Sequence, residues 1–246
     1  KKVIMGTGGF GNSRAHLEKY AEDSATKWPF LHAGNTGDGH DMMEELGATV
    51  VGNGVMAYEA LTPTLGYKGN VGSLVWVPEL VVNLEGRRFV DETGQSTDIA
   101  LQTYLQTDDI AYGIVDSRTD RNEDFEQGVE EGLIYKAESL EELAETLELT
   151  DVDAFITTVE NYNAAANDGA EDEFGADPEL MKPVEEGPFY AVPIRAVIIG
   201  TMPGVEVDQD GRVLGADDQP IPNLFAAGEV MFGNIFNRVY PATGTP

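Results

Sequence analysis

The sequence contains no cysteine, which excludes disulfides and thiol redox chemistry and leaves the compartment undetermined. No run of about 18 apolar residues occurs, so no membrane span is expected. No basic stretch followed by an apolar core is present, so no signal peptide is expected. Lysine is scarce, at seven residues, and basic side chains total 15 against 44 acids, for a net charge of −29. A surface of that sign repels nucleic acid and anionic membranes, and neither is expected as a partner. The acids are dispersed along the chain and 9% of residues are aromatic, which argues for a folded protein over a disordered one. A dispersed acidic excess with little lysine keeps a folded surface hydrated in concentrated salt, where screening removes most self-repulsion. The expectation is a cytoplasmic protein of a halophile.

Two motifs are also missing. There is no G-x-S-x-G, so no hydrolase elbow is indicated. There is no H-E-x-x-H, and His16, His32 and His40 form no paired motif, so no metal site is expected and the histidines are read as surface or capping residues.

What is present reads as α/β. A strand over Lys2–Met5 leads into a glycine-rich turn and a helix at about 13–22. Asp38 is placed to cap a helix at about 39–46, with Met42, Met43 and Leu46 on one face and Gly47 as the stop. Gly54 to Gly72 reads as loop; Leu80–Val82, a turn at Glu85-Gly86 and Arg87–Val90 read as a hairpin. Residues 98–106 read as helix and Ile110–Val115 as a strand ending at Asp116. Ser139–Leu147 carries a Ser-x-x-Glu capping box. Asp151–Ala166 presents Phe155, Val159, Tyr162 and Ala166 at helical spacing. Asp210-Gly211 is a hairpin turn, and NLFAAGEV a buried-type strand entering a glycine-rich end. A helical middle flanked by two short α/β pieces suggests one domain inserted in another, with part of the outer one missing from this chain.

Gly6, Gly8 and Gly11 spell G-x-G-x-x-G after a strand. A dinucleotide fingerprint also needs a second strand ending in an acid about 20 residues on, and TKWPFLHAGNTGDG supplies none. Gly8-Gly9 could still bring backbone against a ligand, or form only a tight turn. Thr36-Gly37-Asp38-Gly39 could present amides to an anion, or be an ordinary helix start. Near the end, Glu229 could hold ligand hydroxyls, Arg238 clamp a carboxylate or oxyanion, and Tyr240 polarise a carbonyl; a solvated acid, an ion pair and a core tyrosine are the plainer readings.

Five segments in order resemble FAD-dependent oxidoreductases of the fumarate reductase flavoprotein type, a group that includes ketosteroid and tricarballylate dehydrogenases. They are MGTGGFGN, NTGDGHDMMEELGA, VVNLEGRRFVDE, TTVENYNAAANDGAEDEFG and PIPNLFAAGEV. The resemblance implies an α+β capping domain at 59–199 inserted in a partial Rossmann-like FAD-binding domain, 1–58 and 200–246. It implies FAD contacts at Thr7, Gly8, Gly9, Gly37, Asp38, Gly228 and Glu229. NRVYPATG is similar to the ketosteroid pattern, in which the matching Tyr240 and the Gly244 amide polarise a substrate carbonyl, and Arg238 matches an arginine near the flavin. Arg118 or Arg121 sits near the family's proton-donating arginine, with the register off. Gly200-Thr201 stands where fumarate reductases carry His-Thr, and Thr62 where they carry a second histidine.

The implied activity is hydride transfer between flavin and a carbon next to a carbonyl or carboxylate of a small molecule, with an electron-transfer partner possible. Arg238 and Tyr240 would stabilise the enolate, and Tyr58, Tyr67 or Arg118 would handle the proton. The N-terminal fingerprint and the last glycine-rich helix of the family are not in these 246 residues, so a fragment that holds FAD weakly is expected. A non-catalytic truncated flavoprotein or binding module without cofactor, and a nicotinamide-binding Rossmann protein, are the alternatives.

Overall fold

The computed structural model describes residues 1–29, 32–61, 80–94, 96–121, 123–168 and 172–236. In chain order these form β1 (Val3–Met5), α1 (Arg14–Tyr20), β2 (Trp28–Pro29), α2 (Asp38–Glu45), β3 (Val50–Val51), β4 (Val55–Leu61), β5 (Leu80–Asn83) and α3 (Ser96–Thr103). Then follow β6 (Ile110–Val115), α4 (Glu123–Glu130), β7 (Tyr135–Ala137), α5 (Leu140–Thr146), α6 (Val152–Asp168), β8 (Phe189–Thr201), β9 (Gly204–Val205), β10 (Arg212–Leu214) and β11 (Pro220–Ala226). The chain divides into one unit of residues 1–57 and 197–246 and a second of residues 58–196.

In the first unit, β11 is the centre of a three-stranded sheet, with β1 parallel on one side and β10 antiparallel on the other. Val3 lies opposite Leu224 and Met5 opposite Ala226. Leu224 and Ala226 alternate inward and pack with Met43, Val205, Val213 and Val230. β11 is therefore a half-buried strand and not the wholly buried one expected, since its remaining residues are partly or fully exposed. A second cluster joins Phe10, Leu17, Ala21, Ala25, Val55 and Ile198.

The helix α2 starts one residue earlier than its sequence suggests. Gly37, at φ 85°, is the N-cap and makes no side-chain cap bond, and Asp38 is the first helical residue. The buried face carries Gly39, His40 and Met43, whereas Met42 and Leu46 are exposed. Positions 39, 40 and 43 share one side at three- and four-residue spacing, which turns 42 and 46 outward. The stop at Gly47 is as expected: Ala48 N–H reaches Met43 O and Gly47 N–H reaches Glu44 O, the bond pair of a Schellman ending. His40 is fully buried, so it is neither a surface nor a capping residue.

In the second unit, β8 lies between β6 and β7, antiparallel to both, and β5 extends the sheet beside β6. Helices α5 and α6 cover it through Leu143, Phe155, Val159 and Tyr162, which meet Leu80, Val82 and Ile114. Each such large side chain removed from water contributes about 1.5–3 kcal/mol. Ser139 caps α5 by accepting from Glu142 N–H at 3.1 Å, while Glu142 Oε2 accepts from Glu138 N–H at 2.9 Å. Two expectations fail here. Residues 55–61, read as loop, form a strand; the rest of that stretch lies outside the described residues. Arg87–Val90 is not a strand, and β5 pairs with β6 instead. The Val81 amide is taken by Glu92 Oε1 at 3.0 Å, so a carboxylate replaces the second arm.

Candidate functional site

The first unit gathers most of the glycine-rich segments. After β1 the chain turns through Thr7, Gly8 and Gly9. Thr7 is exposed, Gly8 half-buried at φ 72°, and Gly9 buried. A Cβ on Gly9 would collide with the Glu229 carboxylate and the Thr201 hydroxyl, so only glycine fits there. A Cβ on Gly39 would collide with Thr7, which brings this turn against the start of α2. Asn12 N–H donates to Asn35 O at 2.9 Å and closes the same corner. Thr7, Gly8, Gly9, Gly37, Gly228 and Glu229 therefore form one neighbourhood, with the exposed Asp38 at its helix edge.

Glu229 follows β11 at the start of a 3-10 turn, Glu229–Asn234. Gly228 before it has φ 79° and ψ −156°, a region open essentially to glycine alone. Among the described residues, nothing lies within 4 Å of where a Gly228 Cβ would be. Glu229 Oε1 accepts from Thr201 N–H at 2.8 Å and from Thr201 O–H at 3.1 Å. Thr201 Oγ1 in turn accepts from Phe10 N–H at 3.3 Å. Among the described residues, Oε2 has no such partner.

Two histidines stand behind this corner. His16 bridges α1 and α2, with Nδ1 at 2.7 Å from Ser13 Oγ and Nε2 at 3.0 Å from Asp41 Oδ1. Its ring also fills the space of a Gly37 side chain. His40 stands edge-on to Phe10, with ring centroids 5.1 Å apart, and its Nε2 lies 3.4 Å from Pro203 O. Among the described residues its Nδ1 has no partner. Burial holds the His40 pKa below the ordinary imidazole value, against the Pro203 carbonyl that pulls it up. No group of three or more candidate metal ligands exists among the described residues.

The other sequence candidates fall elsewhere. Arg238, Tyr240, Gly244, Thr62 and Tyr67 lie outside the described residues, as does the side chain of Tyr58. Arg118 lies in the second unit and closes a clasp. Its Nε and Nη2 reach Asp116 Oδ2 at 2.9 and 2.6 Å, Nη2 also reaches Pro183 O, and Nη1 reaches Glu185 at 3.3 Å. Burial raises the Asp116 pKa, but the Arg118 bonds and the amides of Glu185, Arg118 and Glu186 hold it below the usual range. Arg121 lies over the Tyr190 ring and bonds its hydroxyl. A cavity of about 750 Å³ in the second unit, lined by Arg88, Thr158, Asn161, Asp172 and Phe174 among others, borders none of the predicted site residues.

The donor set fits a flavin dinucleotide on this geometry. A carboxylate with one oxygen held and the other unpartnered among the described residues can accept a ligand hydroxyl. The turn at Gly8-Gly9 lets backbone approach closely. Thr201 went unrecognised in the sequence as part of this site; its only signal there is its place after Gly200.

The family model described as FAD binding domain matches residues 1–246. NADH:fumarate oxidoreductase of Klebsiella pneumoniae (strain 342) is 32% identical over 237 residues, covering 95% of this chain and 25% of that protein. Among solved structures, the open conformation of a flavocytochrome c3 fumarate reductase matches with a TM-score of 0.70 at 27% identity, over 95% of this chain and 41% of that one. The 3-ketosteroid-delta4-(5alpha)-dehydrogenase from Rhodococcus jostii RHA1, in complex with 4-androstene-3,17-dione, matches with a TM-score of 0.70 at 25% identity, over 97% and 48%. The chain thus spans between a quarter and a half of the length of these relatives.

Proposed function

The chain belongs to the FAD binding domain family, and we propose that it forms part of an oxidoreductase that moves a hydride between FAD and a carbon next to a carbonyl or carboxylate. The single observation that carries the reading is the convergence of Gly9, Thr201 and Glu229, with one Glu229 oxygen unpartnered among the described residues. When bound, FAD supplies the hydride acceptor or donor. Thr7, Gly8, Gly9, Gly37, Asp38, Gly228 and Glu229 hold it, the glycines by backbone approach and Glu229 by accepting a hydroxyl. Residues 1–58 and 200–246 belong to the FAD-binding domain in this reading, and 59–199 are the capping (substrate) domain of the family pattern.

Arg238, Tyr240 and the Gly244 amide orient the substrate carbonyl and stabilise the negative charge that develops on its oxygen. Arg118 we place in its clasp with Asp116 and not at the reacting carbon, because four of its five N–H donors already have partners. That leaves Tyr58 and Tyr67 as the proton-handling candidates.

The substrate class is a carbonyl compound in preference to a dicarboxylate. What favours this is Gly200-Thr201, which stands where fumarate reductases carry His-Thr, so this position offers no imidazole to a dicarboxylate. The test is anaerobic: FAD-loaded protein is reduced and mixed with fumarate or with a 3-ketosteroid alkene. Reoxidation of the flavin absorbance by the ketosteroid and not by fumarate is the expected result. Reoxidation by neither overturns the activity, and by fumarate alone overturns the substrate class. Growth in concentrated salt is the third element of the proposal, from the charge of −29.

A further inference from the structure

We propose that Thr201 is a positioning residue that presets the Glu229 carboxylate for the cofactor. The inference rests on the reading that Glu229 receives FAD. Thr201 is fully buried. Both of its donors end on Glu229 Oε1, at 2.8 and 3.1 Å, and its Oγ1 is itself held by Phe10 N–H at 3.3 Å. The direction of this relay is fixed by chemistry. An amide only donates and a carboxylate only accepts, so the threonine proton points at Glu229.

Glutamate loses much rotamer freedom when ordered. Here that ordering is complete before any ligand arrives, which strengthens binding by preorganisation. Gly9 makes the arrangement possible, because the carboxylate and the hydroxyl occupy the space its side chain would need. The turn that approaches the cofactor and the carboxylate that accepts from it are thereby set by one hydroxyl. Among the described residues Glu229 Oε2 has no partner, and it is the acceptor this proposal offers the ligand.

The test titrates this chain with FAD and follows flavin fluorescence. Thr201→Val keeps the shape and loses the hydroxyl; Thr201→Ser keeps the hydroxyl and loses a methyl. The expected result is a loss of about tenfold in FAD affinity for valine and at most about twofold for serine. A packing role gives the opposite order, because serine leaves the gap. In a Glu229→Ala background, Thr201→Val is expected to cost no further affinity. Should the valine variant not fold, Thr201→Ala is compared with Thr201→Ser; both lose the methyl, so the positioning role predicts that alanine alone weakens FAD binding by about tenfold and a packing role predicts similar losses in both. Equal affinity with and without the hydroxyl, or a loss that persists in Glu229→Ala, overturns the positioning role while the site stands. No FAD binding by the unaltered chain overturns both.

Discussion

Arg88 bonds Asp172 across 84 positions of sequence, inside the second unit, where both side chains are almost fully buried. The same guanidinium holds Glu92 at 2.6 Å and lies over the rings of Tyr162 and Phe174. Burial pushes Glu92 up, whereas Asp172, despite its own burial, is held below the usual carboxylate range by Arg88 and the amides of Ala176 and Phe174. Asp172 is therefore the firmly ionised partner. Arg88→Met strands two buried carboxylates and is expected to cost about 3–5 kcal/mol. Urea unfolding measures it, and a loss under about 1 kcal/mol would place the cluster among ordinary surface pairs.

Acid should weaken the second unit through Asp116 as well. Its folded pKa is depressed, so its contribution is present above the unfolded value near 3.8 and is lost as pH falls through the folded one. Asp116→Asn is expected to lower stability at neutral pH and to flatten the acid limb of the unfolding curve below about pH 4. An unchanged acid limb counts against the clasp with Arg118.

His40 sets a second window. Its folded pKa is lowered by burial, so the unfolded state binds the proton first as pH falls below 6.5. Stability of the first unit is fully present above that pH and declines beneath it. Thermal melting of His40→Gln should show a flatter profile between about pH 5 and 7 than the unaltered chain. Parallel profiles would mean that the buried ring is not the group responsible.

Gly9→Ala tests the close approach directly. The added methyl displaces Glu229 or Thr201, and melting temperature and FAD affinity should fall together. Retention of both would mean that the turn can shift without consequence.

The charge gives a salt prediction. With 44 acids against 15 bases, melting temperature should rise as potassium chloride goes from about 0.1 to 1 M, over which the Debye length shrinks from ~10 to ~3 Å. A flat or falling curve would remove the halophile reading.

Features set by neighbours in sequence were legible. The Ser139 cap, the Gly47 stop and the face of α6 each depend on residues within a few positions. Gly9 and Glu229, which the structure brings together, each lie in a compact glycine-rich string that stands out in the sequence. Thr201 was not, because its hydroxyl acts on a residue 28 positions away and on Phe10 at 191. Arg88 with Asp172 was hidden for the same reason. Arg87–Val90 was misread because Glu92 occupies the edge amide that a second strand would have used. The start of α2 was misplaced because a left-handed Gly37 serves as the cap in place of an acid.

The central claim is that this chain receives FAD at Glu229, and FAD titration of the unaltered chain against Glu229→Ala tests it most directly. A saturable change in flavin fluorescence that weakens at least about tenfold in the variant is the expected result. No change with the unaltered chain, or equal affinity in both, would contradict it.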